Sequence, residues 1–134
     1  MEAVIRLGVQ VIANTRKIEM SLEFNHTTQG LAEVITVSGR LMSKIDSEDL
    51  ISRLNDLLAE ERSTIVMELS NLEYMNSSGL NILLGLFTAT RNAGGDMFLC
   101  NVSKKVEELL VMTKLNSVFK IYKSMDEAVS AFSE

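Results

Sequence analysis

The run Thr64 to Leu69, TIVMEL, is a short apolar segment typical of a central strand covered on both faces. The small polar stretch MNSSG follows, and then Leu80 to Phe87, where apolar residues occupy almost every side of a helix. These segments predict a central strand joined to a largely buried helix, and therefore a layered α/β domain. The polar junction between them lies at the carboxyl end of the strand, where such sheets usually bind ligands and partners.

The residues before this unit predict an antiparallel hairpin. Ile18 to Asn25 alternates apolar and polar residues with the period of a half-buried strand. HTTQG then reads as a turn in which His26, the only histidine, is solvated, and Leu31 to Ser38 is a second strand closed by Gly39.

The remaining elements alternate between helix and strand. DSEDLISRLNDLLAEE is an amphipathic helix with Asp46 or Ser47 as its N-cap, DMFLCN and VFKIY read as strands, Ser103 caps a further helix, and Ser124 forms a capping box with Glu127. The order β-β-α-β-α-β-α-β-α predicts an α/β fold. Its mixed sheet begins with the hairpin, continues through alternating β-α units, and is covered by about four helices.

The length of 134 residues predicts one domain, residues 18–134, preceded by an N-terminal extension at residues 1–17. The extension alternates apolar residues and could add an edge strand; alternatively, Met20 is the natural start. The first apolar segment is too short to span a bilayer and lacks the features of a signal peptide. The sequence thus predicts a cytoplasmic protein that does not insert into membranes.

Charge and chemistry narrow the function further. Eighteen acidic and thirteen basic residues give a net charge of −5, which disfavours nucleic acid as a partner. The single cysteine, Cys100, lies in an apolar strand and is expected in the core, and no His/Cys cluster suggests a metal site. The glycines match no phosphate-binding loop, and the MNSSG junction lacks the first glycine of a hydrolase nucleophile elbow. We therefore expect neither an enzyme nor a cofactor; one simple role of Asn76 or Ser77 is to cap the second helix.

The segment MNSSGLNILL resembles the signature of the STAS domain, especially of the bacterial anti-sigma factor antagonists. In that family an aspartate, then a serine or threonine, precedes Ser-Gly-Leu. The likeness extends in element order from about Ile18 to Ser133 and includes GRL at Gly39 to Leu41 and AGGDMFLCNVS after the second helix. The resemblance implies a domain that binds an anti-sigma factor with serine kinase activity, and thereby releases a sigma factor.

By the same resemblance, phosphorylation of Ser77 ends the interaction and a PP2C-type phosphatase restores it. Asn76 stands where the family usually has aspartate, which removes a negative charge beside the acceptor. We expect Gly79 to leave room for the backbone of the kinase, and Met42 and Met75 to be exposed in loops as a soft binding surface. The expected partner-binding residues are Met42, Ser43, Met75, Asn76, Ser78, Gly79, Leu80 and Asn81.

Two other functions remain open at this stage. Asn76 is compatible with a constitutive STAS scaffold, or a subunit associated with a transporter, that uses the same helix end without phosphorylation. The strand ends could instead bind a small ligand or a nucleotide.

Overall fold

The computed structural model describes residues 22–133; the predicted extension at residues 1–17, and the start of the predicted first strand, lie outside them. The order of elements is the predicted one. In chain order the elements are β1 (Leu22–Gln29), β2 (Ala32–Leu41), α1 (Glu48–Ala59), β3 (Thr64–Met75), α2 (Ser77–Asn92), β4 (Asp96–Cys100), α3 (Lys104–Met112), a 3-10 turn (Leu115–Ser117), β5 (Lys120–Tyr122) and α4 (Met125–Ser133).

The strands form one mixed sheet in the spatial order β1-β2-β3-β4-β5. β1 pairs antiparallel with β2, from Leu22 opposite Gly39 to Gln29 opposite Ala32. The other neighbouring strands pair in parallel. The predicted fold class, a hairpin followed by alternating β-α units, is therefore confirmed.

Apolar side chains cover both faces of the sheet. On one face, Ile35, Ile65 and Leu99 belong to the larger core, which also contains buried residues of α1, α2 and α3. On the other face, Val34, Val66 and Phe98 pack with α4. Cys100 lies in this second core with none of its surface exposed, as expected. Since three helices cover one face and one covers the other, the central strands are buried on both sides, which explains their nearly continuous apolar sequence.

The central strand is longer than predicted. β3 continues past Leu69 to Met75, and Leu72 and Met75 are buried. Beyond Glu68 it no longer pairs with β4, but it keeps pairing with β2 through two irregularities in register. A register shift interrupts the simple alternation of side chains, so the pattern ELSNLEYM does not read as a strand. β2 likewise continues through Gly39 to Leu41 instead of ending at Ser38.

The prediction for His26 is wrong. β1 runs on to Gln29, so His26 lies in a strand and its Nε2 lies 2.7 Å from Oε1 of Glu33. Glu33 is buried on β2 and also accepts hydrogen bonds from Thr28 and Arg62. The burial of side chains alternates along β1 from Leu22 to Thr27, so the strand continues into the polar segment HTTQ, where the sequence shows no apolar alternation.

The N-caps of the helices largely agree with those predicted from the sequence. The side chain of Ser103 accepts a hydrogen bond from the amide of Val106, and that of Ser124 accepts one from the amide of Glu127. Ser47 occupies the cap position of α1, but its hydroxyl donates to the carbonyl of Ser43 at 2.6 Å instead of capping the helix.

Candidate functional site

The carboxyl ends of β2 and β3 bring two parts of the predicted site together. Leu41 and Met75 are the last residues of these strands, and they are paired in the parallel register. Two connections therefore begin at the same end of the sheet. One is the loop that starts with Met42 and Ser43, and the other is Asn76, which leads into α2. Met42 and Ser43 are partly exposed beside the start of α2.

Asn76 is the N-cap of α2. Its backbone is extended, and its side-chain oxygen accepts a hydrogen bond from the amide of Gly79 at 2.8 Å. The carbonyl of Asn76 also accepts the amide of Leu80, the first bond of the helix. Of the two caps that the sequence allowed, the structure selects Asn76, which leaves Ser77 free of that role.

Ser77 and Ser78 are the first two residues of α2, and both are exposed. The first amides of a helix have no partner within the helix, and here the cap takes only the amide of Gly79. The first turn of α2 also contains no acidic residue, whereas the first turns of α1 and α4 each contain two. The positive end of the helix dipole is thus not neutralised beside Ser77, so a negative group attached there is favoured.

Gly79 has a different role from the predicted one. It is buried, and an added Cβ would overlap the backbone carbonyl of Leu41. The missing side chain therefore allows α2 to pack against the end of β2 and gives no outside molecule access to Ser77. This contact holds the loop with Met42 and Ser43 close to the helix start.

Burial divides the predicted partner-binding residues. Met75, expected in an exposed loop, is 7% exposed at the end of β3, and Leu80 is 4% exposed in the core. Together with buried Gly79, these residues support the surface from beneath and do not form it. The residues left at the surface are Met42, Ser43, Asn76, Ser77, Ser78 and Asn81.

An apolar depression lies beside this surface, and the sequence pattern does not predict it. It has a volume of about 210 Å³, lies between the end of β3 and α3, and includes Tyr74, Leu109 and Met112. The side chain of Met112 is 78% exposed. The guanidinium of Arg40 lies over the ring of Tyr74, 5.2 Å from the ring centroid. The spacing of apolar residues in α3 marks its buried face, but only the structure shows that Met112 projects beside the end of β3.

Among residues 22–133, no helix is both long enough and apolar enough to cross a membrane. Within the same part of the chain, no three side chains of His, Cys, Asp or Glu are grouped so that they could hold a metal ion.

The fold agrees with comparisons to known proteins. The family model for the STAS domain matches residues 23–128, and the chain belongs to the STAS domain family. The chain is 34% identical over 99 residues to the anti-sigma F factor antagonist of Paenibacillus polymyxa, covering 71% of this chain and 82% of that protein.

Solved structures show the same fold. An anti-sigma factor antagonist from Mycobacterium paratuberculosis superposes with a TM-score of 0.73 at 21% identity, covering 85% of this chain and 96% of the other. The Bacillus cell fate determinant SpoIIAA in its phosphorylated form superposes with a TM-score of 0.66 at 20% identity, covering 82% and 99%.

Proposed function

We propose that this protein is an anti-sigma factor antagonist controlled by phosphorylation of Ser77. It binds an anti-sigma factor that has serine kinase activity, and this binding releases a sigma factor. Phosphorylation of Ser77 ends the interaction, and a PP2C-type phosphatase restores it. The observation that carries the proposal is the exposed Ser77 at the first position of α2, next to a separate residue that caps the helix.

The position of Ser77 supports a switch that acts between molecules. A phosphate there would add about −1.5 to −2 charges where the dipole of α2 stabilises an anion by about 0.3–1 kcal/mol. The domain itself should therefore remain folded when phosphorylated. A partner that packs closely over Asn76, Ser77 and Ser78 would have to accommodate the same charge and volume, and each 1.4 kcal/mol of that cost is about a tenfold loss of affinity.

In this proposal the protein is a substrate and a regulator rather than an enzyme. The kinase supplies the nucleotide, Mg²⁺ and the catalytic base, and this chain supplies the hydroxyl. The proposal also implies a cytoplasmic protein, because the sigma factor that it frees acts on the transcription apparatus.

The acceptor is tested with the purified anti-sigma factor kinase of the source organism and Mg²⁺-ATP, followed by mass spectrometry of peptides. We expect one phosphate on Ser77, which is lost in Ser77→Ala and kept in the neighbouring control Ser78→Ala. Stoichiometric phosphate on another residue would contradict the assignment.

Binding is tested by calorimetry with the same kinase and ADP. Ser77→Ala should bind as the wild type does, and Ser77→Asp should bind at least about tenfold more weakly, because its carboxylate stands in for part of the phosphate charge. If the two variants bind equally and the wild type gains no phosphate, the charge switch is wrong. A constitutive STAS scaffold would then be the better description.

A further inference from the structure

A groove of about 320 Å³ separates α1 from α2, on the same side of the sheet as Ser77. Its apolar lining comes from both helices, with Ile51 on α1 and Ile82 and Ala89 on α2. Gly85 also lines it and is exposed. The groove is therefore an apolar channel that the described residues of this chain leave open.

Gly85 has no role in packing within the described part of the chain. An added Cβ would meet no atom within 4 Å, whereas at Gly79 it would overlap the carbonyl of Leu41. Glycine in the middle of a helix lowers the stability of the protein relative to alanine. A glycine at position 85 therefore indicates a role other than packing within this domain. The absence of a side chain there lets the backbone of another molecule approach α2 closely.

The groove is continuous with the proposed phosphorylation surface. Ser77, Asn81 and Gly85 are each four residues apart on α2, and all three are exposed. Residues at this spacing lie along one side of a helix, so Gly85 is about 12 Å along α2 from Ser77. Asn81 belongs to both surfaces, since it lines the groove one turn after Ser77.

The charge of the groove indicates what it would accept. Lys44, in the loop that follows β2, is the only charged residue in the lining, and it forms no ion pair with another described residue. A partner that covered the groove would place an apolar surface against Ile51 and Ile82. Such a partner would bind most tightly if one of its carboxylates formed an ion pair with the ammonium of Lys44.

We propose that the groove receives an amphipathic helix of the anti-sigma factor, with its backbone closest to α2 at Gly85 and an acidic side chain at Lys44. The inference rests on the proposed function, because it assigns a second contact area to the same partner. A helix suits a channel between two helices, where apolar residues at i, i+3 and i+4 can line one side. The groove contributes to affinity, while Ser77 controls whether the complex forms.

The test uses calorimetry with the purified anti-sigma factor kinase of the source organism and ADP. Gly85→Leu fills the groove and should weaken binding at least tenfold; Lys44→Glu reverses its charge and should weaken binding about tenfold. Ser130→Leu, at an exposed position of α4 on the other face of the sheet, and Lys123→Glu, after β5, are the matched controls and should bind as the wild type does. Phosphorylation of Ser77 by the kinase is measured separately for every variant.

Melting temperatures show that the variants are folded, which the open space around Gly85 predicts for Gly85→Leu. If both groove variants bind like the wild type while Ser77→Asp does not, the groove inference is wrong and the proposed function stands. If the wild type itself does not bind the kinase, both fail. Sedimentation of the free protein gives the last outcome: a dimer that Gly85→Leu abolishes would identify the occupant as a second copy of this chain and overturn the inference.

Discussion

The backbone carbonyl of Leu41 occupies the space that a side chain at Gly79 would need. Gly79→Ala should therefore force α2 away from the end of β2, and we expect the free energy of unfolding to fall by about 1–3 kcal/mol. Gly85→Ala, in the same helix but with open space around it, should raise this free energy by about 0.5–1 kcal/mol. Urea denaturation measures both values. A Gly79→Ala variant as stable as the wild type would mean that α2 does not contact β2 as described, and a less stable Gly85→Ala would mean that the space around Gly85 is not open.

The cap at Asn76 gives a second prediction. Asn76→Ala removes the acceptor of the Gly79 amide and should lower the free energy of unfolding by about 1 kcal/mol. Asn76→Asp keeps the acceptor and adds a negative charge at the helix start, which should stabilise the unphosphorylated protein by about 0.3–1 kcal/mol.

The same substitution should make phosphorylation of Ser77 more costly, because Asn76→Asp places a carboxylate next to the phosphate. Melting temperatures of both proteins, with and without the phosphate, test this effect. We expect phosphorylation to raise the melting temperature of the wild type, whose cap is neutral, and to raise it less, or to lower it, in Asn76→Asp. Equal shifts would show that the neutral cap has no influence on the phosphorylated state.

Most of the fold could be predicted because the sequence signals are local. Apolar spacing and caps such as Ser103 and Ser124 identify the helices, and their alternation with apolar strands specifies the sheet. The errors lie where tertiary structure overrides the local pattern. β3 continues to Met75 because β2 still pairs with it there, and His26 lies in a strand because buried Glu33 accepts its hydrogen bond.

The site was predictable to a similar degree. The motif MNSSGL places Ser77 at the start of a helix, and this position is confirmed. The motif does not reveal which of its neighbours are buried, because that depends on residues distant in sequence, such as Leu41 beneath Gly79. The groove could not be predicted for the same reason, because Lys44 and Gly85 line one groove only when α1 and α2 pack on the sheet.

The buried Glu33 should make stability depend on pH. Burial alone would raise the pKa of Glu33, but hydrogen bonds from His26, Thr28 and Arg62 outweigh it and hold the pKa below its ordinary value of 4.5. The ionised carboxylate is therefore bound more favourably in the folded protein than in the unfolded chain. Its contribution to stability is fully present above about pH 5 and is lost as the pH falls through the lower folded pKa.

Glu33→Gln tests this dependence by urea denaturation between pH 3 and 7. The variant should be less stable than the wild type near neutral pH, by about 1–3 kcal/mol, and the difference should shrink below pH 4. Glu60→Gln is the matched control, since Glu60 also contacts Arg62, at 3.1 Å, but is exposed. A difference that stays constant with pH would mean that the charge of Glu33 does not stabilise the fold.

Cys100 provides a test of the second core. Burial, with a smaller contribution from the charge of Glu68, raises the pKa of its thiol to about 12. At pH 8 only about one thiol in ten thousand would be ionised, and the thiolate is the reactive form. A thiol reagent such as DTNB should therefore label the folded protein only as fast as the core around Phe98 and α4 opens, and the denatured protein at once.

The variant Phe132→Ala removes the ring that stacks on Phe98 and should speed the labelling, because it loosens α4. The control Phe87→Ala lies in the other core and should have a smaller effect. Rapid labelling of the folded wild type would contradict the burial of Cys100 beneath α4.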